Sequence, residues 1–387
     1  MKQIYLDNNS TTVIDPSVVK VMTACFAAEY VNPASQHRAG QIARRRLEEF
    51  RSKIVELLGG TTEGMEADRL VFTSGGTESN NLAVLGLAME ADPSKRSDDD
   101  PKQILVSAIE HPSVIAAGQA LVEQGFSVRS IPVDRNGVVK VEEIRKLLNE
   151  PTRLVSVMLA NNETGVIQPV QEISEICREQ GVLLHTDAVQ AVGKIDVNFS
   201  ELGVDALSLT AHKLHGPRGI GALLMKHSVT PRPIIFGGFQ QMAIRPGTED
   251  VALVAGLHRA LQLHSPERHQ RMLQLRDQLQ ASILDACPDT VVNGGDAPRT
   301  PHTLNLSFPG INRQALLMAA DMAGLAISTG SACASGSSEP SPVLVAMGAD
   351  SDVIEGSIRI SLGAFTTASE INQAWERIVK LANDLRR

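Results

Sequence analysis

Between about residues 60 and 235, short β-rich runs alternate with helix-compatible segments, and this alternation constrains the 387-residue chain more than any other feature. The runs are RLVFTSG, QILVSAI, SVRSIPV, TRLVSVML, GVLLHTDA, ALSLTA and GIGALLM. Segments such as ESNNLAVLGLAMEA, HPSVIAAGQALVEQG and PVQEISEICREQG lie between them. Strands separated by helices predict an α/β fold with a mostly parallel sheet, because a parallel pair needs a crossover of that length. Such sheets bind ligands at the carboxyl ends of their strands. From about residue 253 the pattern changes to a long helical stretch, then the short strands HTLNLSF and SIRISLG, then a closing helix with Trp375. That reads as a smaller α+β domain.

Composition excludes several classes. A formal charge of -8 without a basic stretch argues against unaided nucleic-acid binding, and 3% aromatics leaves no base-stacking platform. The opening MKQIYLDNNSTT has no apolar run or cleavage site, and no stretch reaches 18 consecutive apolar residues. A cytoplasmic protein with no membrane partner is expected. Cys25, Cys177, Cys287 and Cys333 show no CxxC or zinc-site spacing, so free thiols and no intrinsic metal are expected. Three of these lie in apolar surroundings within helical segments and read as inert core. Cys333 lies among Gly330, Ser331, Ala332, Ala334, Ser335, Gly336, Ser337 and Ser338, which give it little to pack against.

Three features of the α/β region match what a phosphorylated aldehyde cofactor, pyridoxal phosphate, requires: an amine, an acid for the ring nitrogen and donors for the phosphate. Lys213 follows the run ALSLTA, Asp187 ends the run LLHTD, and TSGGTESNN supplies small residues at a helix start. Each taken singly is ordinary turn chemistry, and spacing alone does not name the cofactor.

The chain resembles the cysteine desulfurases, pyridoxal-phosphate enzymes of the class V aminotransferase group. The likeness runs through YLDNNSTT (5–12), NPASQH (32–37), VFTSGGTESNN (71–81), EHPSV (110–114), NNETGVIQP (161–169), HTDAVQ (185–190), TAHKLHGPRGIG (210–221), RPGTED (245–250), GSACASG (330–336), EPSPVL (339–344) and IRISLG (358–363). The resemblance implies the type I fold, with a mostly parallel seven-stranded sheet in a large domain over 16–252. A smaller α+β domain would cover 253–387 and carry the cysteine loop, with segment 1–15 packed on it. It implies that Lys213 forms the Schiff base, Asp187 pairs with the pyridine nitrogen, and Gln190 and Asn162 lie beside the ring hydroxyl. His111 would stack on the ring and take part in proton transfer, while Gly76, Thr77, Thr210 and His212 would hold the phosphate. Thr248 would reach the phosphate of a neighbouring subunit in a homodimer, and Asn32 and Arg359 would receive the substrate carboxylate.

The activity so implied converts L-cysteine to L-alanine and leaves its sulfur on Cys333 as a persulfide. The acceptor would be an iron–sulfur scaffold or a tRNA-thiolation relay protein, and a transferred cluster would touch the chain only at Cys333. The segment from Ser328 to about Pro342 resembles the long-loop branch that serves iron–sulfur assembly. Selenocysteine lyase, or another β-lyase or aminotransferase, is the alternative. Some positions depart from the family. Asn9 and Ser10 stand where Ala-Ala is common, and Gly237, Gly238, Phe239, Gln240 and Gln241, followed by Met242, stand where Gly-Gly-Gly-Gln-Glu is usual. The chain also stops at Arg387, where relatives dedicated to a scaffold often carry a longer tail that helps dock it.

Overall fold

A computed structural model describes residues 3–28, 30–89, 102–148, 151–330 and 339–386. The strands in chain order are β1 (Ile4–Tyr5), β2 (Arg69–Thr73), β3 (Gln103–Ser107), β4 (Ser127–Ile131), β5 (Thr152–Ser156) and β6 (Leu183–Asp187). They continue with β7 (Ala206–Thr210), β8 (Gly221–Met225), β9 (Val291–Val292), β10 (Thr303–Ser307), β11 (Leu325–Ala326) and β12 (Ser357–Ser361). Each apolar run identified in the sequence contributes one strand to a seven-stranded sheet ordered β2-β8-β7-β6-β5-β3-β4. Pairs β3–β4, β3–β5, β5–β6 and β6–β7 are parallel, whereas β8 runs antiparallel to both β7 and β2. Only β8 is reversed, so β2, β3, β5, β6 and β7 all end at the same edge.

Both faces of this sheet are covered, as the nearly continuous apolar runs require. Side chains alternate between two cores with the two-residue strand period. Leu70, Phe72, Leu105, Leu207, Leu209, Ala222 and Leu224 enter one core. Val71, Ile104, Val106, Ala206, Leu223 and Met225 enter the other, against the helix Gly76–Ala88. From Leu82 onward that helix is apolar on every side, which suits an element buried on the sheet.

A third core gathers Ile4 and Leu6 with residues from Leu275 to Ala382 around the antiparallel sheet β12-β10-β9 and the parallel pair β1–β11. The closing helix Ala368–Leu385 buries Ile371, Ala374, Ile378 and Ala382, a stripe at i, i+3 and i+4 spacing. Its start is fixed by a capping box between Thr367 and Glu370. The helical stretch after residue 250 is two helices. Val251–Leu261 packs into the first core, and Pro266–Ala286 into the third. Ser265 caps the second helix and Pro266 opens it, so the chain turns there. No helix among the described residues is long and apolar enough to cross a membrane.

Candidate active site

The common edge of β2, β3, β5, β6 and β7 opens onto a cavity of about 310 Å³. Its walls include Gly76, Thr77, His111, Asn162, Asp187, Gln190, Thr210, His212, Lys213 and Arg359. Most are placed by the end of a strand or the segment beyond it, whereas Arg359 comes from the middle of β12. Asp187 is the last residue of β6 and is buried. Its Oδ2 accepts from Asn80 Nδ2 at 2.6 Å and its Oδ1 from the Val189 amide at 2.9 Å, so the carboxylate cannot rotate freely. Lys213 sits on a single 3-10 turn after β7. Its Nζ donates to the carbonyl oxygens of Asn9 and, at 2.8 Å, Ser10.

The helix Gly76–Ala88 begins at the cavity wall, and its N-cap Gly75 offers no side chain to the first amides. An uncapped helix start aims N–H groups and positive dipole at whatever lies beyond it. Glycine is required nearby for closeness. A Cβ on Gly221 of β8 would meet the Gly75 backbone at 2.7 Å, and one on Gly76 would meet Val189 Cγ2 at 2.9 Å. Thr210 is buried with its hydroxyl donating to Ile220 O at 3.0 Å. Burial, then the charges of Lys213, Lys194 and Arg218, pulls His212 down to about 4, so it stands neutral at pH 7.

His111 caps the helix Pro112–Val122. Its Nδ1 accepts from the Ser113 amide at 3.1 Å, which places the proton of the neutral ring on Nε2. Asn80 joins this corner to the acid, donating both to Ser113 Oγ at 2.9 Å and to Asp187. Arg359 is 2% exposed. It donates to Asp7 Oδ1 and Ser10 Oγ, both at 2.9 Å, and to Asn162 O at 3.1 Å. The departures at positions 9 and 10 are therefore built into the site. Ser10 orients the arginine, and the Asn9 side chain bridges Thr303, Asn162 and His302.

Several site residues carry no signal of their own in the sequence. Lys194 is buried, and its Nζ donates to Gln190 Oε1 at 2.9 Å. That contact orients the amide so that Gln190 Nε2 donates to Asn9 O at 3.1 Å. Burial, reinforced by Lys213 and Arg359, holds Lys194 well below an ordinary lysine. Glu110 lines the cavity beside His111, and burial pushes its carboxyl up to about 8. The Asp187 charge adds to that rise, and hydrogen bonds from Ser107 and Met158 oppose it. Glu110 and Asn80 both lie inside recognised motifs, but nothing in the residue type tells a lining group from a core one.

Two expected residues are not in this cavity. Asn32 and Thr248 line a second, more open one of about 460 Å³, together with Phe239, Gln240 and Gln241. Asn32 is exposed there and accepts from the Ala34 amide at 2.8 Å. Cys333 lies outside the described residues, as do its neighbours at 331–338. The residues leading into that segment are held at the cavity: Gly330 O accepts from Arg359 Nη1 at 3.4 Å, and Ser341 Oγ donates to the buried Glu163 at 2.5 Å. Cys25, Cys177 and Cys287 are buried free thiols, and burial followed by the Asp205 charge pushes Cys177 up to about 12.

The cavity offers an amine, an opposed fixed carboxylate and an uncapped helix start, which is the donor set for pyridoxal phosphate. The absent Cβ at Gly76 and the buried, unpartnered Oδ1 of Asn80 are consistent with a group lying between them.

Residues 4–374 match the family model described as aminotransferase class-V. The chain is 38% identical to a cysteine desulfurase IscS of Dictyoglomus turgidum, covering all of this chain and 96% of that one. It is 40% identical to a cysteine desulfurase of Cereibacter sphaeroides, over all of this chain and 97% of the relative. Among solved structures, a NifS-like protein superposes with a TM-score of 0.88 at 34% identity, covering 99% of this chain and 100% of the other. A NifS-like protein of Rickettsia africae gives 0.87 at 31%, covering 98% and 99%.

Proposed function

Because the chain belongs to the aminotransferase class-V family, we infer that its cavity performs pyridoxal-phosphate chemistry and that the protein is a cysteine desulfurase. It converts L-cysteine to L-alanine and transfers the sulfur to a protein thiol as a persulfide. The observation that carries this reading is the juxtaposition of Lys213 and Asp187 in one cavity that ends on an uncapped helix.

When bound, the cofactor supplies an electron sink that labilises the substrate. The chain's residues do the rest. Lys213 is the amine that would hold the aldehyde carbon, and Asp187, fixed by Asn80 and Val189, keeps a ring nitrogen protonated. Gly76, Thr77, Thr210 and neutral His212 would hold the phosphate, and Gln190 and Asn162 would serve the ring hydroxyl. His111, with its proton on Nε2, would stack on the ring and move a proton between substrate atoms. Arg359 fixes the substrate carboxylate with a planar fork already oriented by Asp7 and Ser10. Cys333 is the acceptor. Its thiolate attacks the substrate sulfur, the carbon–sulfur bond breaks, and the carbon takes up protons to become alanine. One cysteine and one thiol thus give one alanine and one persulfide, with no external oxidant or reductant.

We place Asn32 and Thr248 in the site of a second copy. Their cavity lies away from Lys213, and beside it Phe236, Phe239 and Met242 are 79%, 93% and 58% exposed, an apolar surface suited to burial in a homodimer. The sulfur acceptor is a protein of iron–sulfur assembly or tRNA thiolation in the cytoplasm, met through the long Cys333 segment. Holoenzyme given L-cysteine without reductant should release about one alanine per chain and hold one persulfide. Pyruvate with ammonia, or net amino-group transfer, would assign the cavity to a β-lyase or an aminotransferase.

A further inference from the structure

Away from the cavity, Asp196, His264 and His269 converge from two segments, each offering a ligand atom within 4.8 Å of the others. We propose that these three residues form a binding site for a divalent metal ion of the zinc class. His264 Nε2 lies 2.9 Å from Asp196 Oδ1, and the two imidazole rings meet edge to face with centroids 4.3 Å apart.

A hydrogen bond prepares one of the rings as a ligand. His269 Nε2 faces the Gly193 carbonyl at 3.3 Å; a carbonyl only accepts, so Nε2 carries the proton and Nδ1 keeps the lone pair. Metal-binding histidines are oriented in this way, by a carbonyl on the far nitrogen. His264 Nε2 lies beside Asp196 Oδ1, so it is this nitrogen that faces the same point as the carboxylate. A surface ion pair does not account for the second imidazole set against the first, since such a pair contributes little. Two imidazoles and a carboxylate, with a fourth position for water, suit zinc.

The location gives the site a consequence. Asp196 ends the turn that carries Gln190 and Lys194, whereas His264 and His269 bracket Pro266 at the start of the helix packed in the third core. A bound ion would tie the cofactor-side turn to that helix and stabilise the fold by mass action.

The test uses holoenzyme carrying Cys333→Ser, which removes that thiol as a competing ligand. Calorimetric titration with zinc chloride should show one ion per chain and zinc should raise the unfolding temperature. His269→Ala should abolish both effects, and Asp196→Asn should weaken binding at least about tenfold. The Asp196 side chain is 93% exposed, so this second variant leaves packing intact if His269→Ala fails to fold. No zinc uptake by the parent, or uptake unchanged in Asp196→Asn, would overturn the site.

Discussion

At the scale of single residues, Lys194 sets function against stability. Its buried amine donates to Gln190, and no carboxylate pairs with it among the described residues. A buried amine in that state costs the fold, whereas an apolar side chain of similar length does not. Lys194→Met should therefore raise the stability of the cofactor-free chain by about 1 kcal/mol or more in urea unfolding. The same change frees the Gln190 amide and should weaken pyridoxal phosphate binding about three- to tenfold in an equilibrium titration. A less stable variant with unchanged cofactor affinity would show that Lys194 is merely structural. The sequence marks Lys213 because it precedes Gly-Pro after a strand; Lys194, in AVGKID, looks like any surface lysine. What distinguishes it is burial, which depends on elements distant in the chain.

At the scale of elements, the proposed anion cup depends on how closely β8 approaches the start of the helix Gly76–Ala88. A Cβ on Gly221 would meet backbone atoms of both Gly75 and Leu209 at 2.7 Å, and backbone cannot yield as a side-chain tip can. Gly221→Ala should cost about 1–3 kcal/mol and lower phosphate affinity, measured by chemical denaturation and by cofactor titration of the apo chain. Wild-type values for both would mean the close approach is dispensable. The seven strands and the parallel core of the sheet were legible because their runs are short, apolar and evenly separated. The reversal of β8 was not, since an apolar run reads alike in either direction. Nor was the left-handed run Gln241, Met242, Ala243, where φ is 49°, 60° and 60° in residues other than glycine. Gln241 is held there by its side chain, which pairs with both the amide and the carbonyl of Phe72. That pairing spans distant segments and leaves no local trace.

At the scale of the whole molecule, folding buries histidines that must stay neutral. Burial lowers His185 to about 3, and burial with nearby cations lowers His212 and His258 to about 4. In the unfolded chain they titrate at ~6.5, so between that pH and about 4 the unfolded state binds more protons. Stability is therefore full above about 6.5 and falls as pH drops through that window; Glu110, raised to about 8, acts in the opposite sense with a single proton. Urea midpoints of the apo chain should decline from pH 7 to pH 4.5, and a flat profile would contradict the burial of these rings. The residues lining the cavity were legible where motif and strand end coincide, as at Asp187 and Lys213. The gathering of Asp196 with His264 and His269 was not, because 68 residues separate the first from the second and only the packed fold brings them together. The central claim, that cysteine sulfur leaves through a protein thiol, is tested most directly by alanine and sulfide release from L-cysteine with a thiol reductant, comparing wild type with Cys333→Ala. Equal amounts of both products, lost in the variant while its cofactor absorbance persists, are expected. Product formation undiminished by the substitution would contradict it.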